Sequence, residues 1–351
     1  MKISPVSDAP HMVLRNAVGH LFLRGDANSC HEQHLGERVI SDETVGAWKN
    51  HINSFLSLKG EIGFDFCFLP SPDKQSVFWE SISNAVDNRN ILKLLKNLPE
   101  STYSDPLPSL VSMREQGIDP YPTVDTHWNS LGAMHALAPI LHRWGIDFPL
   151  KDFSLKVTSQ RFEGDLGIKT NPRESGVAFN LDPRLWKNVL HYDNGVPDNG
   201  RIRIFSNKNA LRCGRILLLG DSFSYRLAEI LSLVFSEVFH FHGSFIDRKF
   251  IRLIRPNFFL FEQTERFFIN KPRHTIESNF FRLVEEKIEA KINLGEIIST
   301  FNVLKGEAIS LNQAMVIFSS EKCLKSYGLI DVEKNQSGFD GSLRALKSIL
   351  N

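Results

Sequence analysis

The sequence predicts an α/β fold, a parallel β-sheet sandwiched between helices. Three observations lead there. Strand-like and helix-like stretches alternate along much of the chain, the order that builds parallel sheets covered on both faces. The run Ile216–Leu219 is apolar at every position and passes straight into Gly220-Asp221-Ser222 and then a helical pattern, which reads as a buried strand, a tight turn and a helix. Phenylalanine is abundant, with 27 copies, and many fall in strand-like runs, so the core is aromatic and large.

The elements follow in order. Residues 1–12 read as a flexible tail. Ser41–Leu58 opens on Ser-Asp-Glu-Thr, a good N-cap region, and carries apolar residues at helical spacing. Ile62–Leu69 is Phe-rich and partly alternating, a strand that ends in the turn Pro70–Lys74. Gln75–Leu98 reads as mostly helical, and the polar, Pro-rich stretch Pro99–Thr123 as surface wrapping. Asn129–Trp144 is a second helix, with Pro139 as the place for a bend. Phe153–Phe162 reads as a strand and Gly164–Gly167 as a turn. Arg201–Phe205, Arg215–Leu219, Val238–Phe241 and Phe258–Glu262 read as strands, and Phe223–Phe235 as a helix. Residues 269–351 read as a charged, helical C-terminal appendage. In a parallel sheet, ligands bind beyond the carboxyl ends of the strands. Three loops fall there: Pro70–Lys74, Gly220–Ser224 and Gln263–Arg266.

Composition narrows the function. The chain of 351 residues is 42% apolar and 23% charged, with a net charge of +1, so no field calls for nucleic acid or an acidic membrane. The four cysteines, Cys30, Cys67, Cys213 and Cys323, form no C-x-x-C pair, and Cys67 and Cys213 read as buried thiols. Cys30-His31-Glu32-Gln33-His34 resembles a metal-ligand spacing but lacks further ligands; a surface loop is the simpler reading, and no metal is expected. Pro5, Asp8, Pro10 and Arg15 interrupt any secretion-signal core, and no apolar run reaches the roughly 18 residues of a spanning helix. A cytoplasmic protein is expected, with a periplasmic or membrane-associated one as the alternative.

Two segments carry chemistry. At Gly220–Ser224 the glycine permits a tight turn, and the free N–H groups of the following helix would stabilise an oxyanion formed near Ser222. The alternative is that Asp221 or Ser222 only caps that helix. The segment differs from the G-x-S-x-G elbow, because Ser224 stands at the second glycine. The other segment is Asp125-Thr126-His127-Trp128. Residues i and i+2 of an extended chain project to one side, so Asp125 could hold Nδ1–H of His127 and leave Nε2 for a serine. A metal pair, a surface turn or a packed histidine fits D-x-H as well.

Asp125-Thr126-His127-Trp128 followed by Asn129–Ala133, and then Gly220–Ser224, resembles the alginate O-acetyltransferase family, the AlgJ and AlgX type, within the broad SGNH hydrolase superfamily. Other segments match in order: Gly19–Leu23, Phe68–Phe78, Gly164-Asp165-Leu166, Arg255-Pro256-Asn257 and Glu262–Arg266. The resemblance covers residues 13–268, with Phe78 in place of the usual Tyr, Asn257 in place of the usual Asp, and the family's export signal missing. It implies an SGNH-hydrolase-like, flavodoxin-like domain with circularly permuted motif order, since Asp125 and His127 precede Ser222.

The resemblance also implies acyl transfer. Ser222 would be the nucleophile, His127 the base and Asp125 its orienting acceptor, with an acetyl-serine intermediate and the Ser222 N–H as one oxyanion donor. The implied activity is O-acetylation of a polysaccharide or of a lipid- or nucleotide-linked sugar. The donor is acetyl-CoA or a membrane acyltransferase partner; no cofactor is implied. A carbohydrate esterase on the same three residues, or an inactive glycan-binding protein, are the alternatives. Four further residues stand near the site. Asp221 braces the turn. Trp128 stacks on a sugar ring or, more simply, packs on the sheet. Lys74 contacts an acidic sugar or a donor phosphate, or is a solvated turn lysine, the simpler reading. Arg266 binds an anionic substrate or makes an internal ion pair. His242 could line the site, although a structural role is the simpler expectation.

Overall fold

The computed structural model describes residues 3–5, 12–81 and 89–274. Eleven strands lie in this portion: β1 (Ile3–Pro5), β2 (Val13–Asn16), β3 (Leu21–Leu23), β4 (Asp65–Ser71), β5 (Val157–Phe162), β6 (Gly176–Leu181), β7 (Leu190–Asp193), β8 (Ile202–Ser206), β9 (Arg212–Gly220), β10 (Phe235–His242) and β11 (Phe258–Thr264). Six of them form the central sheet in the order β4-β11-β9-β10-β8-β7. Its first four strands are parallel, while β8 pairs antiparallel with both β10 and β7. The expected parallel sheet is therefore a mixed one. β7 and β8 form an antiparallel edge joined by a loop too short for a helical crossover. Two antiparallel sheets stand apart, β1-β2-β3 and the hairpin β5-β6.

The apolar run in β9 has a direct explanation. Leu217 and Leu219 point into one core layer, with Trp48, Phe55, Phe259 and Phe261. Ile216 and Leu218 point into the other, with Leu137, Leu141, Leu227 and Leu231. Strands buried on both faces lose the polar alternation of a half-exposed strand. The helix Asp42–Ile62 covers the first face; its N-cap Ser41 accepts the Thr44 N–H at 3.1 Å. The helices Ser130–Arg143 and Ser224–Val234 cover the second. Asn129 caps the former by accepting the Gly132 N–H at 2.9 Å. No helix among the described residues is long and apolar enough to cross a membrane.

Several sequence expectations are corrected. Between Gln75 and Leu98 the described chain forms only short pieces, Lys74–Val77, Trp79–Ser81 and Ile91–Leu95; residues 82–88 lie outside the described portion. The Pro-rich stretch is no mere surface wrap. It contains the helix Leu107–Glu115, and its Tyr121 is buried, with the phenol donating to the Pro72 carbonyl at 2.6 Å. Ile62 ends a helix and Phe153 belongs to the short helix Leu150–Ser154, so both strands start later than the sequence suggests. Gly164–Gly167 forms one helical turn. Cys213 is exposed, whereas Cys67 is buried. The expected C-terminal appendage falls almost wholly outside the described residues.

The parallel register sets the site. Ser71 pairs with Thr264, and Gly220 with His242, so the chain leaves β4, β9 and β11 at one edge. The loops carrying Asp73, Ser222 and Glu265 are thereby brought together.

Candidate active site

Asp125, His127 and Ser222 meet. His127 Nε2 lies 2.8 Å from Ser222 Oγ, and His127 Nδ1 lies 2.7 Å from Asp125 Oδ1. The same carboxylate oxygen accepts the His127 backbone N–H at 2.7 Å, which locks the D-x-H segment in an Asx-type turn. The carboxylate fixes the tautomer: Nδ1 carries the proton and Nε2 is the acceptor facing the serine. Burial alone would push His127 down, but its bond to Asp125 and the charges of Asp125 and Asp165 outweigh this and hold it above the ordinary 6.5. Burial likewise opposes ionisation of Asp125, yet the His127 and backbone hydrogen bonds keep its carboxyl below the usual range.

Each side chain is held by distant chain. Asp165 N–H donates to Asp125 Oδ2 at 3.2 Å, and Asp165 in turn accepts Thr126 N–H at 2.7 Å and Thr126 Oγ at 2.5 Å. Gly164 makes this approach possible: it has φ +63°, and a Cβ there would stand 2.2 Å from the Val124 carbonyl oxygen. Trp128 is buried and its indole N–H donates to the Phe223 carbonyl at 3.0 Å, tying the two chemistry-bearing segments together. This is a packing role, although the ring also reaches the cleft wall.

The turn at Ser222 is braced by Asp221. Its carboxylate accepts Phe223 N–H at 2.9 Å, Gln263 Nε2 at 2.8 Å and Thr264 N–H at 2.7 Å. Asp221 N–H donates to Glu262 Oε2 at 3.1 Å. Burial and the charge of Asp221 push the Glu262 carboxyl well above its ordinary value. Ser224 Oγ donates to the Asp221 carbonyl at 2.5 Å and lies 2.7 Å from His240 Nε2. The residue at the second elbow position is thus a strut. No hydrogen bond engages the Ser222 N–H among the described residues, which leaves it as an anion donor.

Lys74 does not stand where the sequence suggests, while Arg266 takes the second of its two expected roles. Lys74 is neither solvated nor a substrate contact: it is buried, and its ammonium donates to the carbonyls of Pro122 at 2.5 Å, Thr123 at 3.0 Å and Asp125 at 3.2 Å. Burial pushes its pKa down to about 7 against the pull of Asp125, Asp165 and Asp119. Arg266 makes the internal pair, donating to Asp73 Oδ1 at 2.5 Å. The segment read as a surface loop, Cys30–His34, is a short helix that places Cys30 and His34 beside Asp73, their donor atoms within 4.8 Å of one another. There Arg266 already neutralises the aspartate. Asp125, His127 and Asp165 form a second group of this kind, where the His127–Asp125 bond and the Thr126 bonds to Asp165 occupy the same atoms. His242 is structural, with Nδ1 2.9 Å from the Tyr225 hydroxyl.

Ser222 and His127 open onto a cleft of about 490 Å³. Its walls include residues the sequence did not single out. Asn180 of β6 is buried and its Oδ1 lacks a hydrogen-bond partner among the described residues; Trp186 and Phe162 present aromatic surface; Arg203 and Tyr225 also line the cleft. A cleft of this size, with aromatic faces and several charged and polar side chains, fits a small polar ligand or one or two sugar rings. Chemically, the arrangement can deprotonate Ser222 and receive a negative oxygen beside it.

No family model and no curated protein matches the chain. Solved structures do. PatB1 from Bacillus cereus is 16% identical with a TM-score of 0.55, over 74% of this chain and 99% of that one. Its form with a sulfonyl adduct is 16% identical with a TM-score of 0.52, over 76% and 97%. The O-acetyltransferase domain of Pseudomonas putida AlgJ is 13% identical with a TM-score of 0.44, over 80% and 100%. The likeness to PatB1 shows that this chain shares its fold.

Proposed function

We propose that the chain is a serine-dependent O-acetyltransferase that moves an acetyl group to a hydroxyl of a polysaccharide or glycan precursor. The observation that carries this is the line Asp125–His127–Ser222, with both hydrogen bonds below 3 Å, at the mouth of the cleft. His127 takes the Ser222 proton as Oγ attacks the acetyl carbonyl. The resulting oxyanion is met by the Ser222 N–H. The bond to the donor breaks, its leaving group takes the proton from His127, and acetyl-serine remains. A sugar hydroxyl then gives its proton to His127 and attacks the acetyl-serine carbonyl. The ester bond to Oγ breaks, and Oγ recovers the proton. Asp125 stays ionised throughout and stabilises the imidazolium.

The test is incubation with p-nitrophenyl acetate, with and without glycan acceptors, followed by mass spectrometry of the glycan. Acetylated glycan that vanishes in Ser222→Ala supports the reading. Serine-dependent release of acetate alone indicates an esterase. Turnover equal in wild type and Ser222→Ala removes the serine from the chemistry.

A further inference from the structure

The arginine-bearing lining of the cleft holds one positive charge more than it neutralises. Arg201 is balanced: it grips Asp193 with Nε at 2.9 Å and Nη2 at 2.6 Å. Arg226 is balanced by Glu229, 2.9 Å away. Arg203 is not. Its Nε donates to His240 Nδ1 at 3.1 Å and its Nη2 to the Tyr225 carbonyl at 3.2 Å, both neutral acceptors. The nearest carboxylate oxygen, Glu229 Oε1, is 4.0 Å from Nη1 and belongs to the group that already serves Arg226. Yet Arg203 is only 4% exposed and lines the same cleft as Ser222.

His240 adds no negative charge. It accepts from Arg203 on Nδ1, so its proton sits on Nε2 and is donated to Ser224 Oγ. Burial and the Arg203 charge hold it well below its ordinary pKa, so it is neutral. Arg203 also lies over the Tyr225 ring at 4.5 Å, which stabilises a cation but leaves its charge intact. A buried guanidinium whose nearest carboxylate is 4.0 Å away and shared with a second arginine is costly, because its desolvation is only partly offset. Nη1 makes no hydrogen bond among the described residues, so the guanidinium keeps donors for a ligand.

We propose that Arg203, flanked by Arg226, is a subsite for a single oxyanionic group, phosphate or carboxylate, carried by the acceptor. The neighbourhood argues against a uniformly charged polymer. Glu229 stands in the same wall, and Asp125 and Asp165 flank His127, so a run of negative groups would meet carboxylates on both sides. One anion is what a net charge of one accommodates. A guanidinium fork suits planar carboxylate and tetrahedral phosphate alike. The inference rests on the transferase reading only in naming the bound molecule an acceptor.

The test is calorimetric binding to the Ser222→Ala protein, which needs no turnover. The probes are N-acetylglucosamine 1-phosphate, glucuronate, neutral N-acetylglucosamine and polygalacturonate. At least one of the two monosaccharide anions should bind about tenfold or more tightly than the neutral sugar, as expected for a hydrogen bond to a charged group. The gap should narrow with salt. Which anion binds tells phosphate from carboxylate. Adding Arg203→Gln should abolish the preference. Arg203→Lys, which keeps charge but not the fork, should retain part of it and covers the case in which the glutamine variant does not fold. Equal binding of neutral and anionic sugars, an unchanged preference in Arg203→Gln or Arg203→Lys, or tighter binding of polygalacturonate per residue would overturn the subsite. If anion binding holds while the wild type transfers no acetyl group, the subsite stands and the transferase reading falls.

Discussion

Ser222 Oγ and His127 Nε2 stand 2.8 Å apart although 95 residues separate them in the chain. Parallel pairing of β9 with β10 and β11 delivers the serine to the sheet edge. The Asn129-capped helix and the Trp128 indole bring the histidine to meet it. The meeting is a tertiary event, and its supports can be removed one at a time.

The histidine sets the pH dependence. Its pKa lies above the ordinary 6.5, and only the neutral ring can accept the serine proton. Activity should therefore be full at alkaline pH and fall as pH drops through a value above 6.5. Asp125→Asn removes the group that raises this pKa. The acid limb of kcat/KM should move down in pH, and the plateau should fall by up to ~10⁴-fold because the tautomer is no longer fixed. A pH–rate profile of both proteins checks this.

Asp221 holds the nucleophile turn without touching substrate. Asp221→Ala removes three accepted hydrogen bonds, to Phe223, Gln263 and Thr264. Buried donors left unpaired cost about 1–3 kcal/mol each, so the melting temperature should drop by several degrees. In the protein that remains folded, kcat should fall more than KM changes, since the serine and its N–H lose alignment.

Lys74 should behave as a positioning residue for the segment bearing Asp125. Lys74→Met strips the donor from the carbonyls of Pro122, Thr123 and Asp125. We expect a loss of about 2–4 kcal/mol in urea unfolding, from acceptors left dry in the interior. A solvated lysine would give a loss near zero, so the two placements separate cleanly.

Gly164 tests the approach of Asp165 to Asp125. In Gly164→Ala the new methyl would meet the Val124 carbonyl oxygen at 2.2 Å, at a left-handed φ of +63°. Strain of this kind costs about 1–3 kcal/mol. The displaced residue adjoins Asp125, so activity should fall further than stability alone explains. Fluorescence melting paired with ester turnover measures both.

The sequence was informative where chemistry is local. The apolar run of β9, the capping residue Ser41, and the D-x-H and G-D-S segments each depend on neighbours in the chain. It was silent where partners arrive from elsewhere. Lys74, between Asp73 and Gln75, looks like a turn lysine; its burial depends on carbonyls some 50 residues away. Arg203 sits in a strand that reads as ordinary, and only the fold shows that it shares its nearest carboxylate, Glu229, with Arg226. Asn180 belongs to the hairpin and Trp186 to the short helix Pro183–Lys187, both beyond the recognised motifs, and nothing in their spacing marks them as cleft residues. The antiparallel β7 was missed because it is four residues long and half polar.

The most direct measurement is peptide mass spectrometry of the protein quenched during turnover of an activated acetyl ester. The account predicts one acetyl group on the peptide that contains Ser222, absent from Ser222→Ala and strongly reduced in His127→Ala. Sustained Ser222-independent turnover, or acetyl groups only on other peptides, would contradict it.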